Sequence, residues 1–246
     1  MLDDNIVKNE NMLTKYRYAI QFSKFGALKF VGHLDFMRAF GRAIRRGGLP
    51  IAYSQGFNPH MQLSFALPLP LGMESEKDYG EIWLTEDIGE CALLEILNSH
   101  KPPGLMFLAA RKMEETEPRY ASVTTAADYI AYNEPGLINP EAISAILNEN
   151  TLIALKKTKS GYTETNIRPD IINLSYQDSP KPRIYMRLSA GSTKFLNPQL
   201  LLEEICKRMA AKTEKHKWLI SRQELFKEIN HKLIAFSNAN WVLYQL

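Results

Sequence analysis

The order in which hydrophobic periodicity switches along this chain constrains its fold more than any single motif. Tyr16 to Ser23 alternates apolar and polar side chains, with Tyr16, Tyr18, Ile20 and Phe22 on one side, the two-residue period of a half-buried strand. From His33 to Arg46 the period lengthens to that of a helix. Leu34, Met37, Ala39, Phe40 and Ile44 make an apolar side, Arg38, Arg42, Arg45 and Arg46 a cationic one, and Gly47-Gly48 stops it. Extended runs follow at 49–53, 63–67 and 80–84, then a helix at 88–97 and a strand at 105–110. Strand, helix, strand, strand, helix, strand is the split βαβ order, so residues 15–112 are expected to form a ferredoxin-like domain.

The second half partly echoes the first after a polar, proline-containing linker at 113–124. Strands are expected at 127–132, 152–156, 167–176, 183–188 and 218–220. Helices are expected from Asn139-Pro140 to Asn148, from Asn197-Pro198 to Met209, and at 222–228. The fold class is therefore α+β, with tandem ferredoxin-like (split βαβ) domains. The second covers 125–246, carries a C-terminal helix, and holds a polar insert at 157–166. Residues 1–14 lack periodicity and read as a flexible N-terminal extension.

At 246 residues and 45% hydrophobic content the chain can bury a substantial core. No run approaches the roughly 18 apolar residues of a membrane span. Its start, MLDDNIVKNEN, is polar and acidic where an export signal is basic and then apolar, so a cytoplasmic location is expected. Cys91 and Cys206 are far apart, share no metal spacing and sit in apolar helical patterns, the setting of reduced thiols. No CxxxCxxC or zinc-knuckle spacing occurs, so no metal and no cofactor is assigned.

Charge is laid out unevenly. Residues 15–50 hold eight lysines and arginines against the single acid Asp35, while 74–95 hold eight acids against Lys77, in a chain whose net charge is only +3. A modest total thus conceals a basic region able to steer a polyanion. Guanidinium groups three or four residues apart, as at Arg38, Arg42, Arg45 and Arg46, share one side of a helix and can meet successive phosphates. The same pattern also describes an ordinary solvated helix face.

Beside that helix runs Tyr53-Ser54-Gln55-Gly56-Phe57-Asn58-Pro59-His60, a loop by composition. Tyr53 and Phe57 are suited to stacking on a base, Gln55 and Asn58 to reading its edge. His60, and His33 at the helix start, are weak candidates for acid–base work, since neither has a paired nucleophile nearby in sequence. Asp35 fits the first helical turn, where it meets exposed amides. Arg168, in the loop Asn166-Ile167-Arg168-Pro169-Asp170, is a further candidate phosphate contact.

These segments resemble a known family, the radical-SAM-associated DUF2344 proteins. The resemblance rests on Phe30-Val31-Gly32-His33-Leu34-Asp35, on Tyr53 to His60, and on Ser64-Phe65-Ala66-Leu67-Pro68-Leu69-Pro70-Leu71-Gly72. Lys156 to Lys159, Asn166 to Pro169 and Gly191-Ser192 extend it, so that it covers nearly everything after Met12. Asn166 stands where the family pattern looks acidic, and Met61 where it looks proline-like or basic. The resemblance implies a radical-SAM protein as partner in trans and leaves the biochemical role open.

The resulting expectation is a non-catalytic subunit that recognises RNA, such as tRNA or rRNA, for a radical-SAM RNA-modifying enzyme. Its RNA-binding residues would be Arg38, Arg42, Arg45, Arg46, Tyr53, Gln55, Phe57, Asn58 and Arg168. A metal-independent ribonuclease using His60 or His33 is one alternative. A protein-binding adaptor using the acidic 74–95 segment, without nucleic-acid contact, is another.

Overall fold

A computed structural model describes residues 15–132, 140–158, 161–178, 181–208 and 218–245. The expected extension at 1–14 lies outside them, as do Asn139 at the expected helix start and Met209 at the end of another. The class is α+β, as the periodicity indicates.

The first half contains β1 (Tyr16–Lys24), α1 (His33–Arg46), β2 (Leu63–Phe65), β3 (Glu74–Leu84), α2 (Glu90–His100) and β4 (Leu105–Met113). These strands pair antiparallel in the order β4-β1-β3, with β2 on β3. A short helix, α3 (Tyr120–Val123), leads into β5 (Thr124–Tyr132), α4 (Pro140–Asn148) and a two-stranded hairpin of β6 (Ile153–Thr158) and β7 (Gly161–Asn166). After these come β8 (Ile171–Gln177), β9 (Arg183–Ser189), α5 (Pro198–Arg208) and β10 (Leu219–Ile229), then β11 (Lys232–Ala235) and β12 (Val242–Leu243). The second half pairs antiparallel in the order β10-β5-β9-β8.

One ten-stranded sheet runs through both halves, because β3 and β10 lie side by side in parallel. That junction has only two registered pairs, Ser221 with Glu74 and Arg222 with Ser75. Backbone pairing there is brief, and side chains complete it. Arg222, with no exposed surface, donates to Asp78 Oδ2 at 2.5 Å and to the Leu67 carbonyl at 2.9 Å. Nearby, the Tyr79 hydroxyl donates to Glu224 Oε1 at 2.5 Å and accepts from Gln21 Nε2 at 2.9 Å, tying β1, β3 and β10 together.

Three differences from the expected pattern share a cause in this merged sheet. The segment 222–228, expected as a helix, is the middle of β10. Its Gln, Glu, Leu and Lys content favours a helix, but sheet neighbours on both edges override that weak preference. A register shift between Arg222 and Glu224 also breaks the alternation that would have marked a strand. Second, β1 is buried on both faces rather than one. One side meets α1 and α2 through Tyr18, Ile20 and Phe22, while Ala19 joins a cluster with Tyr79, Tyr120, Phe236 and Trp241. Third, the expected linker at 113–124 is largely exposed but is anchored to this core through Met113, Tyr120 and Thr124. Arg17 donates to the Glu117 and Pro118 carbonyls, Glu81 accepts from the Tyr120 amide at 2.5 Å, and the Tyr120 ring stacks on Phe236 with centroids 4.4 Å apart.

The chain's last strand, β12, returns to pair with Ala109 and Ala110 on β4, so the C-terminal tail is part of the first half's sheet. The polar insert forms the β6–β7 hairpin, and the run at 49–53 makes only isolated bridges, Ile51 with Leu84 and Tyr53 with Met61.

Replacing Arg222 with Ala leaves the buried Asp78 carboxylate without its cationic partner. The expected loss is about 3–5 kcal/mol in denaturant unfolding. Replacing Arg222 and Asp78 together with Met and Leu is expected to recover part of it, since neither member of the pair is then left buried without the other.

Candidate functional site

The cationic face of α1 exists as the sequence indicates, although its apolar side is shifted. Phe36, Ala39, Phe40, Ala43 and Ile44 are buried, while Leu34 faces outward. Arg38, Arg42, Arg45 and Arg46 are all exposed. Arg38 pairs with Asp35 at 2.8 Å one turn earlier, and Arg46 donates to the His100 carbonyl at 2.6 Å. Arg42 and Arg45 have no ion-pair or hydrogen-bond partner among the described residues. Gly48, at φ 66°, takes the left-handed conformation that ends α1, leaving Arg45 and Arg46 in the last turn, where positive charge suits the helix dipole.

The loop at 53–60 is a closed turn. The Ser54 amide donates to the His60 carbonyl at 2.8 Å, and the His60 amide donates to Ser54 Oγ at 3.0 Å. Tyr53 bridges Met61, and the Gln62 amide donates to the Ala52 carbonyl at 2.8 Å. These bonds hold the base of the loop while Gln55, Phe57, Asn58 and His60 project into solvent. Phe57 is completely exposed, so no packing accounts for an aromatic residue there. Just past the loop, Met61 packs on α1: a Cβ at Gly41 would lie 3.2 Å from its Sδ. Arg38 and Arg45 lie three and four residues from Gly41 on the same helix.

His33 lies apart from His60. It begins α1, packs edge-on against Phe65 with ring centroids 5.9 Å apart, and lines a cleft with Lys24, Asp78, Phe22, Phe36, Leu67 and Leu69. Burial and the neighbouring Lys24 push its imidazole below the usual histidine range, with Asp78 opposing. Lys24 was not legible as a site residue, since it follows the expected strand and opens a segment that reads as a turn or loop. Only the tertiary structure buries it, with Nζ 3.2 Å from the Val31 carbonyl and 4.8 Å from the Phe36 ring centre.

Arg168 does not join the candidate interface. Its guanidinium donates to the Leu147, Glu149 and Ile171 carbonyls at 3.0, 3.1 and 3.2 Å, closing the end of α4. Asn166 supports it, with Oδ1 accepting from the Leu152 amide at 2.9 Å and the Arg168 amide at 3.1 Å. Both bonds need only an acceptor, which explains how Asn serves where an acid would. Part of the acidic segment is likewise drawn inward, where Glu74 pairs with Lys29, Asp78 with Arg222 and Glu81 with Arg17, while Asp87 pairs with Lys112 at the surface. The opposed charge blocks of the sequence are thus partly an internal pairing scheme.

Among the described residues, no three His, Cys, Asp or Glu side chains gather as a metal site, and no helix is long and apolar enough to cross a membrane. A protein-family model described as "Uncharacterized protein conserved in bacteria (DUF2344)" matches residues 17–198. No curated protein matches the chain.

Two measurements test this geometry. Asn166→Asp is expected to be nearly neutral in denaturant unfolding, whereas Asn166→Ala loses about 1–2 kcal/mol by leaving two amides unpaired. By NMR, His33 is expected to titrate below its ordinary value of 6.5. The folded state then binds its proton less readily than the unfolded chain, so this group's contribution to stability declines as pH falls from 6.5 through the lowered midpoint.

Proposed function

We propose that this chain, which belongs to the DUF2344 family, recognises RNA through the arginine face of α1 and the adjoining loop. The observations that carry the reading are two guanidinium groups, Arg42 and Arg45, unpartnered among the described residues, and the fully exposed Phe57 on a hydrogen-bonded loop whose neighbour Met61 packs on α1 at Gly41. Arginines without carboxylates engage phosphates, whatever the sequence of the strand. An aromatic ring held away from the core offers a stacking platform for an unpaired base, and Asn58 and Gln55 stand beside it with amide donors and acceptors. Tyr53 and Arg38 flank this surface. Arg46, tied to the His100 carbonyl, is a secondary contact.

We read the two halves as repeated split βαβ units. The reading is supported by the same fourth-first-third-second pairing order in each, with β6 and β7 as an insertion in the second. The role fits a recognition subunit that presents RNA to a radical-SAM enzyme in trans, a partner suggested by the family resemblance. Cleavage of RNA by His60, which shares the loop with Phe57, is the second reading, and an assay without divalent metal tests it.

The primary test is fluorescence anisotropy with a labelled single-stranded RNA over a range of salt. Binding is expected to weaken steeply with salt, and Arg42→Ala with Arg45→Ala together should flatten the log–log slope by about 1.5. Phe57→Ala is expected to weaken binding roughly tenfold, an effect that persists at high salt because stacking is not ionic. Salt-independent binding, or a double variant indistinguishable from the natural chain, would remove the assignment.

A further inference from the structure

The two halves of the merged sheet differ on the face turned away from their helices. In the first half that face is closed. Tyr79 meets the rings of Tyr120 and Phe236 edge-on, with centroids 5.9 and 5.3 Å away, and Trp241 lies beside them at 5.6 Å. In the second half, α4 and α5 bury Ile146, Leu202 and Ile205 in one cluster with Tyr129, Ile184 and Met186, which share a single face of the sheet.

The register defines what stands on the other face. Asp128 pairs with Arg187 and Arg187 with Asn173, while Ile130 pairs with Tyr185 and Tyr185 with Ser175. Registered partners share a face, and so do residues two apart along a strand, so these two rows lie side by side. Over them is a cavity of about 380 Å³, lined from β10 by Gln223. Such a volume falls within the range of small-ligand pockets, about 300–1,000 Å³.

The planar groups on this face are held by their own contacts. Arg187 donates through Nε and Nη2 to the two Asp128 oxygens, each at 2.7 Å, with its guanidinium carbon 4.3 Å from the Phe226 ring centre. The Tyr185 hydroxyl donates to Gln177 Oε1 at 2.9 Å, and the Arg183 guanidinium lies over the Tyr185 ring, 5.1 Å from its centre. Asn173 and Ser175, by contrast, are exposed, and their side chains have no hydrogen-bond partner among the described residues. Ile130, the one aliphatic side chain in the two rows, is only 9% exposed, so an apolar partner finds no aliphatic surface there. Anchored planar groups beside a free amide and a free hydroxyl suit a flat ligand with a polar edge, which describes an unpaired base.

We propose that this open face of the second half seats an unpaired nucleotide of a bound single-stranded RNA. Tyr185, with the Arg183 guanidinium over it, is the stacking platform, and Asn173 and Ser175 contact the base edge. A four-stranded antiparallel sheet with an aromatic residue on a central strand is a recurrent way of holding single strands, and β9 is central in the order β10-β5-β9-β8. The proposal rests on the reading of RNA as the ligand, but not on the α1 surface, which is built from other residues.

The test is photocrosslinking of the full chain to a mixed-sequence single-stranded RNA carrying 4-thiouridine, with attachment sites mapped by peptide mass spectrometry, beside anisotropy with the same RNA. Attachment in β8 or β9 is expected. Tyr185→Ala is expected to weaken binding about tenfold, and Tyr185→Phe, which keeps the ring, to recover most of the loss. If Tyr185→Ala does not fold, Asn173→Ala with Ser175→Ala takes its place, with an expected loss of about fivefold. Unchanged binding in the variant used, or attachment confined to α1 and the 53–60 loop, overturns the proposal and leaves the α1 surface standing. Loss in Tyr185→Ala with none in Arg42→Ala/Arg45→Ala does the reverse. A chain that binds no RNA removes both.

Discussion

The Arg222–Asp78 pair is the contact on which the merged sheet depends. Two registered backbone pairs are a slight junction for two four-stranded halves, and the guanidinium supplements them by reaching Asp78 and the Leu67 carbonyl on the other side. Burial opposes charge on Arg222, yet Asp78 holds its proton affinity up, and the carboxylate is pushed upward by the same burial while Arg222 pulls it down. Such a pair adds less stability than its short distance suggests, because both ions lose their hydration. Its effect is to specify register: displaced by one residue, β10 would place an unpaired charge in the core.

That junction also locates the cleft. The aromatic cluster of Phe22, Phe36, Phe40, Phe65 and Phe107 fills the first half's core, and Lys24 stands at its edge, where the strand passes into the seam. The loop through Leu67 and Pro68 performs two roles, accepting from Arg222 with its carbonyls and walling the cleft with its side chains. The arginine face lies on the solvent side of α1, and His33 begins the same helix. One helix thus joins an outward arginine-bearing surface to an inward polar cleft, each built from different residues.

Much of the candidate site was legible in sequence because it is local. Arg38, Arg42, Arg45 and Arg46 fall on one helix face by spacing alone, and the loop at 53–60 declares itself through Gly56 and Pro59. Arg168 was misplaced for a physical reason: a guanidinium near proline looks the same whether it meets a ligand or the carbonyls ending α4. Leu34 was assigned to the apolar side of α1 and instead points outward, while Phe36 takes the buried place. The strand at 222–228 was concealed by helix-favouring residues and by the register shift in β10.

The sequence by itself determined the α+β class, most of the strand and helix order, the cationic helix face and the family. Each of these follows from periodicities and motifs that act over a few residues. Only the tertiary structure decided that one sheet runs through both halves, that Tyr120 anchors the segment before β5 in the core, that three acids of the acidic run turn inward, and that Lys24 is buried beside His33 and Asp78. Those depend on contacts between residues as far as 155 positions apart, as for Leu67 and Arg222. Over such separations the choice of partner is made by burial and charge compensation in three dimensions, which no local pattern encodes.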